Sequence, residues 1–385
     1  MKFIFAPDSF KGTLSSAEVI EILSTAASHH FPDAGIVKIP VADGGEGTVE
    51  ALVAAAGGEY RTAEVAGPLG EKVKARYGVI RGDIAVIEMA QASGLTLAPQ
   101  EKRNPLSATT YGTGELIRAA LDEGLKDFII GIGGSATNDG GTGASQALGV
   151  RFFDGEKKST GFGGRELAKI RRIDLSGMDP RIKECRMTVI CDVTNPLTGE
   201  KGATRVYGPQ KGATVEMLEE LEQGMQNFAG LIRAQTGLDP DGIPGAGAAG
   251  GLGAALVCFF KAILKPGIDT VLDLVNFDRL LSGADLVVTG EGRIDGQSVY
   301  GKVPVGVARR CKGRGIPVIA VTGGMDEGAY LVYEQGIDAI IPTVNRSMSL
   351  EEAMARSRQL MEDAGDRLFR MIKAGIRIGG KQDRI

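Results

Sequence analysis

Histidine is almost missing from this 385-residue chain: His29 and His30 are the only two, side by side and shortly before Pro32. They are read as solvated residues at the end of a first helix. Neither Ser-His-Asp nor Cys-His catalysis is open to such a chain, nor is a histidine metal site. Cysteine is scarce as well, and Cys185, Cys191, Cys258 and Cys311 form neither C-x-x-C nor a zinc-like spacing. Apolar runs stay short of the roughly 18 residues of a membrane span, and MKFIFAPDS breaks off too soon for a signal peptide. No long basic run occurs and the net charge is −4, so nucleic acid finds no electrostatic footprint. The expectation is a reduced, cytoplasmic protein without nucleic-acid or membrane partners.

Familiar nucleotide signatures are missing too. There is no G-x-x-x-x-G-K-[ST], no protein-kinase motif set, and no G-x-G-x-x-G after the first strand. Glycine, by contrast, is abundant: 57 residues, about twice the usual share. The glycines cluster where periodic segments end, which marks them as loop residues.

The richest cluster is IIGIGGSATNDGGTG at 129–143. A buried strand breaks there into glycines and then enters a helix-like run at 142–148. Strand, glycine turn and helix start form an arrangement suited to phosphate. The segment 43–48 (DGGEGT) repeats the theme of 139–143 (DGGTG), a carboxylate followed by paired glycines, which suggests an anion-plus-metal motif used twice. The simpler reading of both is a tight turn whose glycines supply positive φ.

In order, the chain opens with an apolar strand at 2–6, the loop Pro7-Asp8-Ser9-Phe10-Lys11-Gly12 and a capping box from Ser15 to Glu18. A helix, a strand at 36–41 and a helix at 48–56 follow, an order that implies a parallel sheet. Three strands at 60–65, 73–80 and 84–89 then read as a meander, and hence as an inserted domain. A strand at 186–191 leads to Asp192, and an amphipathic helix covers 215–233. The glycines at 245–253 are read as close packing that feeds a helix ending near 264. Alternation resumes with strands at 285–289, 317–321 and 339–342, helices at 302–312, 329–335 and 349–374, and a loose tail at 375–385.

The resulting picture is an α/β protein. A doubly wound parallel-sheet domain (1–60 plus 284–385) is split by an inserted mixed α/β domain (61–283). Asp8, Asp43, Glu291 and Gly323 each follow a strand, so they are expected on the carboxyl edge where such sheets bind ligands. The strand-end loops carry carboxylates (Asp8, Asp43, Glu46, Asp192, Glu291, Asp295) and cations (Lys11, Arg293, Lys302). Phosphoryl transfer needs that inventory. Each residue also has a structural reading, as an N-cap, a first-turn acid or a surface lysine. Arg103 and Tyr207 are further substrate-contact candidates.

Several long motifs together resemble the bacterial glycerate kinase family: DSFKGT at 8–13, DGGEGT at 43–48, RNP at 103–105 with TTYGTG at 109–114, GIGGSATNDGG at 131–141, DVTNPL at 192–197 and TGEGRID at 289–295. The resemblance spans nearly the whole chain. It implies a flavodoxin-like domain split by an insertion, and an ATP- and Mg²⁺-dependent kinase acting on D-glycerate, mainly at the 2-hydroxyl. Within that reading Asp8, Lys11 and Asp192 are the catalytic candidates, and Ser9, Arg293 and Gly324 the substrate contacts. Gly133, Gly134, Ser135, Asn138 and Gly140 would meet the ATP phosphates, while Asp192, Glu291 or Asp295 would hold Mg²⁺. Phosphorylation at the 3-hydroxyl and a non-catalytic small-acid binder are the alternatives, and a homo-oligomer is left open.

Overall fold

The computed structural model describes residues 1–41, 47–296, 298–300 and 302–382. In chain order its strands are β1 (Lys2–Pro7), β2 (Gly35–Lys38), β3 (Gly58–Ala66), β4 (Lys72–Ile80), β5 (Ile84–Glu88), β6 (Asp127–Gly131) and β7 (Arg151–Phe153). They continue with β8 (Arg172–Asp174), β9 (Arg186–Ile190), β10 (Ile263–Lys265), β11 (Leu286–Ile294), β12 (Val318–Met325) and β13 (Ala339–Pro342). By contacts the chain divides into two compact units, Met1–Asp43 with Ile268–Ile385, and Gly44–Gly267.

In the first unit five parallel strands lie in the order β13-β12-β11-β1-β2. Counted along the chain that is the 2-1-3-4-5 order of flavodoxin-like sheets, with the order reversing between β1 and β11. Both faces are covered, so the strands read as nearly unbroken apolar runs. Phe3, Phe5 and Val288 pack with Val19, Leu23, Met361, Leu368 and Phe369 from the helices Ser16–His30 and Ser357–Gln382. Ile4, Val287 and Ala320 alternate with them and are equally buried. Ser15 caps the first helix reciprocally with Glu18, as its sequence indicates.

Three details of this unit depart from the sequence reading. His30 is not solvated: it is buried, and its Nε2 lies 2.7 Å from Asp366 Oδ1, an attachment between helices 336 residues apart. The tail is not loose through 375–382, because the helix Ser357–Gln382 runs on through it. The stretch 349–374 is also not one helix, since Leu350–Ala355 ends at Arg356 before the last helix begins.

The second unit holds a six-stranded sheet in the order β10-β9-β6-β5-β4-β3. β10, β9, β6 and β5 are parallel, whereas β5, β4 and β3 form the antiparallel meander. The helix Val215–Thr236 presents Leu221, Met225, Phe228 and Ile232 to the core at helical spacing. There Phe228 meets Phe152 with ring centroids 6.0 Å apart. The helix Thr48–Ala56, which the sequence reading assigns to the first domain, packs on this sheet. A Cβ at Gly78 would stand 2.6 Å from Val53 Cγ2 and 3.2 Å from Val49 Cγ1. The segment 245–253 packs as closely as its glycines suggest: Gly250, at φ +66°, lies where a Cβ would come within 2.1 Å of the Thr137 carbonyl oxygen. Strands β7, β8 and β10 have no counterpart in the sequence reading.

Candidate functional site

In the first unit the carboxyl edge at the β1/β11 reversal carries most of the candidate residues. Pro7 is level with Gly290 and the Asp8 amide donates to the Gly290 carbonyl at 2.8 Å, which brings Asp8 alongside the start of Gly290-Glu291-Gly292. Asp8 is 6% exposed and accepts the Ser9 amide at 2.7 Å. Ser9 is half-buried, Lys11 is exposed, and the backbone at Phe10 and Lys11 passes beside Gly292. Gly323 on β12 must be glycine, because a Cβ there would stand 2.4 Å from the Gly292 carbonyl oxygen. Gly324 has open space around its Cβ position, and its carbonyl accepts the Thr322 hydroxyl at 2.8 Å.

Glu291, Asp295 and Lys302 form one cluster. Lys302 Nζ is 3.4 Å from Glu291 Oε2 and 3.6 Å from Asp295 Oδ1, while the Ser298 hydroxyl donates to Glu291 Oε1 at 2.8 Å. Burial raises the Glu291 carboxyl above its ordinary 4.5, against the pull of Lys302. A carboxyl raised in the folded state holds its proton more tightly there than in the unfolded chain. Its contribution to stability therefore falls as pH climbs from 4.5 through the folded pKa. Glu291→Gln should flatten that part of the unfolding-midpoint profile and be no less stable at pH 7. An unchanged slope would show that another group sets it.

Arg293 is engaged otherwise, in an exposed ion pair with Asp326. Asp43 and Glu46 lie outside the described residues. Among the described residues no three histidine, cysteine, aspartate or glutamate side chains gather as a metal site. Glu291 and Asp295 share an ammonium instead. They therefore fit Mg²⁺ only in the manner usual for it, one or two carboxylates completing a coordination shell supplied by phosphates and water.

In the second unit Glu88, Gly131 and Ile190 end their strands at one level. Glu88 accepts the Val49 amide at 2.7 Å at the start of the helix Thr48–Ala56. Asp192, just past β9, is exposed and accepts the Gly267 amide at 2.8 Å. The loop after β6 divides into two parts. Gly133 is half-buried and Gly134 exposed, and the neighbouring segment is tied to it by Leu95 N to Gly134 O and Ala136 N to Ser93 O, each 2.9 Å.

From Ser135 onward the loop is interior. Asn138 is wholly buried and donates to Thr204 Oγ1 at 3.0 Å, and a Cβ at Gly140 would strike the Phe228 ring at 2.7 Å. The turn that looks built for phosphate is already filled by the Asp139 carboxyl group, which burial raises above its ordinary 3.8 while the bonds from Thr110, Gly141 and Gly143 pull it back. Asp139 Oδ2 accepts Thr110 N and Thr110 Oγ1 at 2.8 Å each and Gly143 N at 3.2 Å, and Oδ1 accepts Gly141 N at 3.1 Å. Those are the donors a phosphate would have needed. Asn138 and Gly140 are thus corrected from ligand contacts to packing residues, and the accessible part of the loop is Gly133–Gly134 with Ser135 beneath.

One residue escaped the sequence reading. Lys211, 2% exposed, donates to Ser135 Oγ at 2.8 Å and to the Thr137 carbonyl at 2.6 Å. Burial lowers its amine to about 7, and the Asp139 charge offsets part of that. Nothing in Pro209-Gln210-Lys211-Gly212 distinguishes it from a surface turn lysine. Tyr207 and Arg103 prove to be structural partners: Tyr207 Oη donates to Asn195 Oδ1 at 2.6 Å, and Arg103 donates to the carbonyls of Ala98 and Gln210 at 3.2 and 3.4 Å.

A carboxylate–ammonium cluster at a flavodoxin-like switch point and an open glycine loop on a second sheet are the equipment of a small-molecule kinase, and comparison with known proteins agrees that the chain is a kinase. The model of the glycerate kinase family matches residues 3–373, and the chain belongs to that family. It is 52% identical over 363 residues to the glycerate kinase of Halalkalibacterium halodurans, covering 94% of this chain and 95% of that one. It is 48% identical over 381 residues to the glycerate 2-kinase of Escherichia coli K12, covering 99% and 100%. A crystal structure from Salmonella typhimurium LT2, described as a candidate glycerate kinase 2, superposes with a TM-score of 0.87 at 46% identity, over 98% of this chain and 99% of that one.

Proposed function

We propose that this kinase transfers a phosphoryl group from ATP to the 2-hydroxyl of D-glycerate, giving 2-phosphoglycerate and ADP in the cytoplasm. The observation that carries the position is the 48% identity, over 99% of the chain, to a relative named for the 2-reaction. Phosphoryl transfer depends mostly on positioning and on charge stabilisation, and the assigned residues supply both. Asp8 orients the attacking hydroxyl, because it stands buried at the switch point, its amide bonded to the Gly290 carbonyl. Lys11, on the same loop, receives the substrate carboxylate, helped by Ser9 and the open backbone at Gly324. Arg293 reaches that carboxylate only by leaving Asp326. Gly133 and Gly134 meet the nucleotide phosphates. Glu291 or Asp295, or Asp192 on the second unit, completes the shell of Mg²⁺, which when bound neutralises charge on the phosphates.

The test is ADP release from ATP, D-glycerate and Mg²⁺, with the product passed to enolase. Immediate enolase turnover is the expected result. A requirement for phosphoglycerate mutase before enolase would move the reaction to the 3-hydroxyl. ADP release independent of glycerate, or none, would overturn the substrate.

A further inference from the structure

Lys211 is costly where it stands. A wholly interior lysine gives up the hydration of its ammonium, and replacing buried ionic groups by packed apolar ones is often neutral or stabilising. What the amine provides in return is two hydrogen bonds, both to one loop, at Ser135 Oγ and the Thr137 carbonyl. The same loop is held by the backbone bridge between Gly94 and Ser135 and by the bonds to Ser93 and Leu95. Just ahead of these anchor points lie Gly133 and Gly134, the accessible part of the loop. Close by, Thr137 Oγ1 and Asn138 Oδ1 are buried without a hydrogen-bond partner. Native proteins rarely leave such groups unpaired without a reason.

We propose that Lys211 is a positioning residue: through Ser135 and the Thr137 carbonyl it fixes the backbone of Gly133–Ser135 in the form that receives the nucleotide phosphates. This rests on the reading above that Gly133 and Gly134 meet ATP. Lys211 touches no substrate itself. It acts from beneath, by withdrawing the Ser135 side chain and the Thr137 carbonyl from the face the phosphates approach.

The test is Lys211→Met, which keeps length and loses the amine. The expected result is a KM for ATP raised about tenfold or more with a KM for glycerate within about twofold of wild type, in a protein that still folds although the Thr137 carbonyl has lost its donor. Ser135→Ala removes one of the two attachments and should raise the KM for ATP by about threefold. The double variant should be no worse than Lys211→Met, because both changes act through one contact. A Lys211→Met protein that does not fold, or that raises both KM values alike with a lower midpoint, would make the lysine a folding residue and overturn the proposal. Should Lys211→Met fail in that way, Ser135→Ala with a wild-type KM for ATP would independently confirm the overturning. A thermal shift of the wild type with MgATP separates the two readings. No shift would remove the nucleotide assignment and the Lys211 inference together. A shift, with an unchanged KM in Lys211→Met, would remove the inference alone.

Discussion

Asp8→Asn should lower kcat by roughly 10²- to 10⁴-fold while leaving the fold intact, the range in which a positioned acid–base group contributes. The Asn oxygen can still accept the Ser9 amide, so the turn after β1 keeps its local bond. What disappears is the carboxylate at the reversal of strand order, where the Asp8 backbone is bonded to Gly290. The KM for ATP should stay within a few-fold, because the change removes an interaction with the acceptor hydroxyl and not with the nucleotide. Steady-state ADP release at saturating ATP and glycerate measures this directly. An Asp8→Asn enzyme within threefold of wild type would take Asp8 out of the reaction. Asp192→Asn, made in parallel, tests the other candidate: that carboxylate is exposed and accepts the Gly267 amide, an interaction an amide oxygen preserves. A loss concentrated at position 192 would exchange the roles of the two residues.

Asp139→Ala should destabilise the second unit by about 3–5 kcal/mol, the cost of leaving buried donors without their charged acceptor. Four donors converge on this carboxylate, from Thr110 and from the turn at Gly141 and Gly143. No water reaches them, since Asp139 and Thr110 are fully buried. In thermal unfolding the loss corresponds to a midpoint lower by roughly 6–20 °C for a unit of this size. Asp139→Asn retains one acceptor oxygen and should fall between the wild type and the alanine variant. An alanine variant within 1 kcal/mol of wild type would show that the carboxylate does not clasp these segments.

The reasons some features were legible in the sequence and others were not are physical. Asp8 follows an apolar strand directly, and in a doubly wound sheet that placement alone puts it on the ligand edge. Glu291, expected just past a strand, lies within β11, which runs on to Ile294 because its backbone stays paired with β12. The meander and the capping box at Ser15 were readable because both are local, set by residues within a few positions of one another. The turn at 139–143 was ambiguous for a chemical reason. A phosphate and an internal carboxylate call for the same array of backbone donors, so a glycine turn that serves one looks like a turn that serves the other. Only the folded chain shows Asp139 filling the place. Lys211 was invisible because its burial comes from segments more than 70 positions away, at Ser135 and Thr137. The partnership of His30 with Asp366 is longer in range still. Strand β10 was missed because Ile263–Lys265 is three residues long and continues an apolar run that reads as helix.

The interrupted connectivity of the first unit has a consequence for synthesis. β1 lies between β2 and β11, and the Thr289 hydroxyl bonded to the Ala6 carbonyl belongs to a residue made 283 positions later. At about 5–20 residues per second, roughly 12–50 seconds pass between release of β2 and arrival of β11, with about 250 residues emerging in between. Throughout that interval β1 has one neighbour, and Phe3, Phe5, Val19 and Leu23 lack the covering helix that the last part of the chain supplies. The 44–267 segment, whose strands all pair within it, has no such wait. The nascent β1–β2 segment is therefore a natural client for a holdase, and a premature stop between Gly267 and β11 would release an intact inserted unit attached to an apolar parallel strand–helix–strand segment that never finds its sheet.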